Sequence, residues 1–146
     1  MSVNGTVLLV EDNANDVELT RLAFAKARLA NPLQVARDGE EAIAYLGGEG
    51  DFADRNSHPF PILMLVDLNL PRINGFEILE WMRQQPFRDD ALIAILTTSD
   101  SGPDVRRAYE LGADSYLIKP PTPEAMLALV QRLKAYWLIV NEREVA

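Results

Sequence analysis

The chain has 146 residues, 48% of them hydrophobic and 25% charged, which fits one globular domain with a single core. Lys and Arg number 14 against 22 Asp and Glu, a net charge of −8, and so acidic a surface disfavours a nucleic-acid partner. With no Cys, disulfides, thiolate metal sites and thiol nucleophiles are excluded.

Met1 to Gly5 has no charged and apolar leader pattern, and no apolar stretch reaches membrane-spanning length, so a cytoplasmic setting is expected. Thr6 to Val10 reads as a buried strand stopping at Glu11-Asp12. Asn13 caps a helix running to about Arg28, with Asp16 as a capping-box-like partner and Leu19, Leu22, Ala23 and Ala27 facing the core. Leu33 to Ala36 is a second strand, Asp38-Gly39 a turn, and Glu40 to Leu46 a helix ended by Gly47-Gly48. Glu49 to Pro61 is rich in Gly, Asp, Asn, Ser and Pro and reads as a surface loop.

Ile62 to Val66 is an uninterrupted apolar run, the pattern of a parallel strand covered on both faces, and it ends abruptly in Asp67. Gly75 starts a third helix whose core side is Phe76, Leu79, Met82 and the stem of Arg83. Ala91 to Leu96 is a fourth strand, ending in Thr97-Thr98-Ser99. A helix over Asp104 to Leu111 closes at Gly112. Tyr116 to Ile118 is the fifth strand, followed by Lys119-Pro120-Pro121. Thr122-Pro123-Glu124 starts a last helix with Met126, Val130, Leu133 and Trp137 as its apolar stripe. Strands alternating with helices predict right-handed βαβ units, an α/β fold with a doubly wound parallel sheet.

Four of the five strand ends carry a reactive or polar group: Glu11 and Asp12, Asp67, Thr97, and Lys119. All strand carboxyl ends lie on one edge of a parallel sheet, so these groups converge although distant in sequence. Crowded carboxylates call for a cation, and oxygen ligands suit Mg²⁺. Lys119 adds a fixed positive charge and Thr97 a hydroxyl donor. This is the environment a phosphoryl group needs, with a carboxylate to attack it in line.

On the motifs Val10-Glu11-Asp12-Asn13, Asp67-Leu68-Asn69-Leu70-Pro71 with Gly75, Leu96-Thr97-Thr98-Ser99 and Lys119-Pro120, the sequence resembles the receiver domain of two-component response regulators. The likeness covers essentially the whole chain. It implies a flavodoxin-like five-stranded sheet in the order 2-1-3-4-5, as a single domain over 1–146 with a core at about 5–137 and an extension at 138–146. It implies Asp67 as phosphoacceptor, and Mg²⁺ held by Glu11, Asp12, Asp67 and the backbone carbonyl of Asn69. Thr97 and Tyr116 would be switch residues, and Lys119 would contact a phosphoryl oxygen, with a cis bond to Pro120. Glu11 stands where Asp is more usual, which lengthens its reach and implies a metal contact through water.

The loop Glu49 to Pro61, the run at Leu96 to Ser99 and the tail Ala135-Tyr136-Trp137-Leu138 further resemble stand-alone regulators paired with phytochrome histidine kinases. The expected partners are a sensor histidine kinase and a second copy, docked through the face of the fourth helix, fifth strand and fifth helix. Tyr136, Trp137, Ile139 and Val140 would serve that contact. Output would be protein–protein contact, or none if the domain is a phosphoryl sink. No enzyme activity is expected beyond its own phosphorylation and dephosphorylation. A Mg²⁺-dependent phosphatase is disfavoured because Asn69 stands where its acid/base Asp would be. A flavin binder is disfavoured because Glu11-Asp12 would repel the phosphate. His58 lies beside Pro59 in the loop and carries no expected role.

Overall fold

The inner strands of the sheet are short apolar runs that turn polar only at their carboxyl ends, and the reason lies in what covers them. The computed structural model describes the backbone of residues 5–145 and the side chains of residues 5–135. Strands β1 (Val7–Val10), β2 (Leu33–Ala36), β3 (Leu63–Val66), β4 (Leu92–Thr97) and β5 (Ser115–Ile118) form one parallel sheet in the expected order β2-β1-β3-β4-β5. Alternate side chains point to opposite faces. Leu8, Val10, Met64, Val66, Ile93 and Ile95 pack on one side, against α2 (Gly39–Gly47), α3 (Gly75–Arg83) and α4 (Gly102–Glu110). Val7, Leu9, Leu63, Leu65, Ala94 and Leu96 pack on the other, against α1 (Ala14–Lys26) and α5 (Pro123–Val145). With helices on both faces, the inner strands β1, β3 and β4 stay apolar until their carboxyl ends, whereas the edge strand β2 admits the half-buried Gln34.

The helix boundaries follow local chemistry. Asn13 accepts a bond from the Asp16 amide at 3.0 Å, and Asn74 and Glu77 form a reciprocal capping box on α3. Thr122 accepts from the Ala125 amide at 3.2 Å, the predicted cap of α5. The fourth helix begins earlier than expected, at Gly102, because the Ser101 hydroxyl caps the Asp104 amide and Pro103 suits the first turn.

Several expectations require correction. Leu22 is 49% exposed, and α1 instead buries Val17, Thr20, Ala23 and Phe24. Arg83 is exposed, while Ile78 takes its place in the core side of α3. The Lys119-Pro120 bond is trans, the isomer favoured by default in X–Pro. Residues Tyr136, Trp137, Ile139 and Val140 lie outside the described side chains.

The stretch from Glu49 to Pro61 is also more than a surface loop. It holds a 3₁₀ turn, Gly50–Ala53, and packs Phe52 and Phe60 against the core. The Arg55 guanidinium donates to the carbonyls of Tyr45, Leu46 and His58 at 2.8, 2.9 and 3.2 Å, covering the carboxyl end of α2. The Tyr45 hydroxyl donates to the Pro59 carbonyl at 2.8 Å. His58 sits edge-on to the rings of Tyr45 and Phe52, apart from the carboxyl edge of the sheet.

Candidate functional site

The backbone ladders run past the ends of the strands and fix the site. Asp67 donates its amide to the Val10 carbonyl at 3.1 Å, Glu11 to that of Ala36 at 2.9 Å, and Lys119 to that of Thr97 at 2.7 Å. The residue after each strand is therefore still in register with its neighbour. The pleat then sorts the side chains: Glu11, Asp67 and Lys119 continue the α1/α5 side of Leu9, Leu65 and Leu117. Thr97 and Tyr116 continue the opposite side.

The first group meets at one point. The Lys119 ammonium lies 2.6 Å from Glu11 Oε1, 2.8 Å from Asp67 Oδ2 and 2.8 Å from Asp16 Oδ2. The Glu11 and Asp67 side chains are 2% and 6% exposed, so these are desolvated charges that need one another. Burial pushes the Glu11 carboxyl up to about 7, and the Asp67 charge adds to the rise, against hydrogen bonds from Lys119 and the Asn13 amide. Burial would lower Lys119, but its bonds to Asp16, Asp67 and Glu11 outweigh that and hold it above its ordinary value.

Carboxylate oxygens of Glu11, Asp12 and Asp67 all lie within 4.8 Å of one another, with Asp12 exposed. Three carboxylates so close are a donor set for a hard divalent cation. An open cavity of about 590 Å³ lies over them, lined also by Asn13, Asp16, Asn69, Thr98 and Lys119. Asn69 turns its backbone amide to Asp67 Oδ1 at 3.1 Å, and its side-chain amide lies 3.5 Å from Thr97 Oγ1.

Thr97 is fully buried, and it is Thr98 that lines the cavity. The Tyr116 hydroxyl donates to the Ser99 carbonyl at 2.8 Å, tying β5 to the segment between β4 and α4, and burial raises its pKa. The Ser99 hydroxyl in turn reaches Asp104 at 2.6 Å. Every strand-end residue singled out from the sequence thus stands at this edge. The sequence marks Asp16 only as a capping residue, yet its carboxylate pairs with Lys119. The available signal was its place in the first turn of a helix that starts at the same sheet edge.

A pocket that sets carboxylate donors for a hard cation beside an ammonium is suited to an anionic group carried by a carboxylate. The response regulator receiver domain model matches residues 7–131, and the chain belongs to that family. It is 34% identical over 132 residues to the response regulator Rcp1 of Synechocystis sp. (strain PCC 6803), covering 90% of this chain and 88% of that protein. The Mn²⁺-bound form of Rcp1 superposes with a TM-score of 0.81 over 92% of this chain and 94% of that one. The phosphorylated cyanobacterial phytochrome response regulator RcpA gives 0.84 at 32% identity, covering 92% of this chain and 94% of that one. RPA3017, a response regulator in red light signaling of R. palustris, gives 0.86 at 32% identity over 91% and 93% of the two chains. The acidic triad, with a metal-bound form known for a relative, marks a divalent-metal site. Among the described residues, no helix is long and apolar enough to cross a membrane.

Proposed function

We propose that the protein is a signalling switch in which Asp67 accepts a phosphoryl group from the phosphohistidine of a sensor histidine kinase. An Asp67 carboxylate oxygen forms the new P–O bond as the P–N bond of the donor breaks. The imidazole leaves with the bonding electron pair and takes a proton. The observation that carries this reading is the meeting of Glu11, Asp12 and Asp67 with Lys119 at one sheet edge.

Mg²⁺ fits the hard oxygen donors, and when bound it would offset charge on the phosphoryl oxygens. Glu11, Asp12, Asp67 and the Asn69 carbonyl would hold it. Lys119 supplies a second positive charge, and the Glu11 and Asp67 carboxylates keep its ammonium at the acceptor. Thr97, buried beside Asn69, and Tyr116, bonded to the Ser99 carbonyl, connect the acceptor to the segment before α4. Phosphorylation shifts the population between two packings of that segment and so alters the face of α4, β5 and α5.

The receiver unit spans residues 1–146, and its output is contact with another protein, a second copy through that face included. The kinase is a phytochrome kinase, a reading supported by the likeness to RcpA and to RPA3017. The protein works in the cytoplasm, without nucleic-acid or membrane partners. Intact-protein mass spectrometry with Mg²⁺ and acetyl phosphate tests the central step. One phosphoryl group gained by the wild type and not by Asp67→Ala is the expected result. No adduct within seconds of mixing, or an equal adduct on both, would overturn it.

A further inference from the structure

An ammonium group has three protons to donate, and in the resting site all three are taken, by Glu11, Asp67 and Asp16. A phosphoryl oxygen can claim Lys119 only if one of these bonds is given up. The three are not equivalent. All three line the open cavity, but the Glu11 and Asp67 side chains are almost fully buried, whereas that of Asp16 is 34% exposed. The more exposed carboxylate is the more readily hydrated on release, and Asp16 stands outside the acidic triad that would hold the metal, so the Asp16 bond is the least costly to break.

We infer that Asp16 is a positioning residue for phosphoryl acceptance: it anchors Lys119 at rest and gives it up to the incoming phosphoryl group. It sits in the first turn of α1, on a different element from the other partners, 103 positions from Lys119. The capping of α1 does not require its carboxylate, because Asn13 accepts from the Asp16 backbone amide. Its charge is thus free for this second use. Asp16 exchanges no atoms with the donor; it sets how readily the ammonium reaches the group being transferred. The inference rests on Asp67 being the acceptor.

The test is the phosphorylation rate at saturating Mg²⁺ as a function of acetyl phosphate concentration, followed by mass spectrometry, for wild type, Asp16→Asn and Asp16→Glu. Thermal melts run alongside. Loss of a competing charged acceptor raises the limiting rate constant of Asp16→Asn by about twofold to fivefold, the scale of one partly exposed ion pair. Asp16→Glu, which keeps the charge, returns toward the wild-type rate. A limiting rate unchanged or lowered in Asp16→Asn, with Asp67 phosphorylated in the wild type, overturns the inference alone. So does a change confined to the half-saturating donor concentration and abolished by salt, which would make Asp16 only a charge at the cavity mouth. Absence of any wild-type adduct overturns both this inference and the acceptor reading.

Discussion

Gly75, the first residue of α3, lies directly on the backbone that carries the candidate acceptor: a methyl group placed on it would be 2.5 Å from the Asp67 carbonyl oxygen. Its amide also donates to the Leu68 carbonyl at 3.1 Å. The position of Asp67 is therefore set from behind by a residue that has to be small. Gly75→Ala is expected to cost about 1–3 kcal/mol, the range for overpacking a tight contact. Gly102→Ala is the control, because nothing lies within 4 Å of a methyl group there. It should leave stability unchanged or raise it by up to about 1 kcal/mol. Urea unfolding of the two variants checks the contrast, and equal stabilities would mean that α3 does not press on the acceptor.

Lys119 is the one cation among three carboxylates, so its removal should reveal how the site holds together without metal. Lys119→Met leaves Glu11 and Asp67 buried and uncompensated, at an expected cost of about 3 kcal/mol at pH 8. A divalent cation binds the folded state alone and no longer competes with an ammonium, so it restores part of that loss. Melting temperatures with and without millimolar Mg²⁺ should therefore rise more in Lys119→Met than in the wild type. A rise no larger than that of the wild type would count against Lys119 and the metal sharing ligands.

The Glu11 carboxyl gives the metal-free protein a pH dependence of definite sign. Burial moves it from 4.5 to about 7, so between those values the folded chain holds a proton that the unfolded chain has released. The resulting stability is complete below about pH 4.5 and is lost as pH rises through 7. At 1.36 kcal/mol per pH unit the loss is about 3 kcal/mol. Urea unfolding in chelator, as the difference between wild type and Glu11→Gln, should fall by that order from pH 4.5 to 8. A flat difference curve would show that Lys119 keeps Glu11 ionised throughout.

The sheet was legible because burial on both faces forces the inner strands into unbroken apolar runs, and the first polar residue of each then marks the functional edge. That logic gave Glu11, Asp67, Thr97 and Lys119 their places. It could not orient α1, whose apolar residues Val17, Leu19, Leu22, Ala23, Phe24 and Ala27 run most of the way round the helix. Only packing against α5 and the sheet selects Val17, Thr20 and Phe24 and leaves Leu22 outside. The Asp16–Lys119 pair was equally hidden, since it depends on where the first turn of α1 lands against β5. No periodicity encodes that.

Arg55 illustrates the same limit, and it carries a further prediction. A stretch rich in Gly, Asp, Asn, Ser and Pro reads as a surface loop, yet this guanidinium bonds the Tyr45 and Leu46 carbonyls at the end of α2 and the His58 carbonyl within the loop. It also lies 5.8 Å from the centre of the Phe60 ring. The Tyr45 carbonyl also accepts from the Gly48 amide at 3.1 Å, and charged donors on helix-end carbonyls contribute about 1.5–3 kcal/mol. Arg55→Ala should therefore lower global stability by that order and speed protease cleavage and amide exchange between residues 48 and 61. Arg55→Lys should recover little, because an ammonium cannot span the same carbonyls as a planar fork. The segment enters β3 from its amino end, opposite Asp67, so acceptance of a phosphoryl group by Arg55→Ala should match the wild type. Cleavage unchanged in Arg55→Ala would show that the aromatic contacts of Phe52, His58 and Phe60 hold the segment without it.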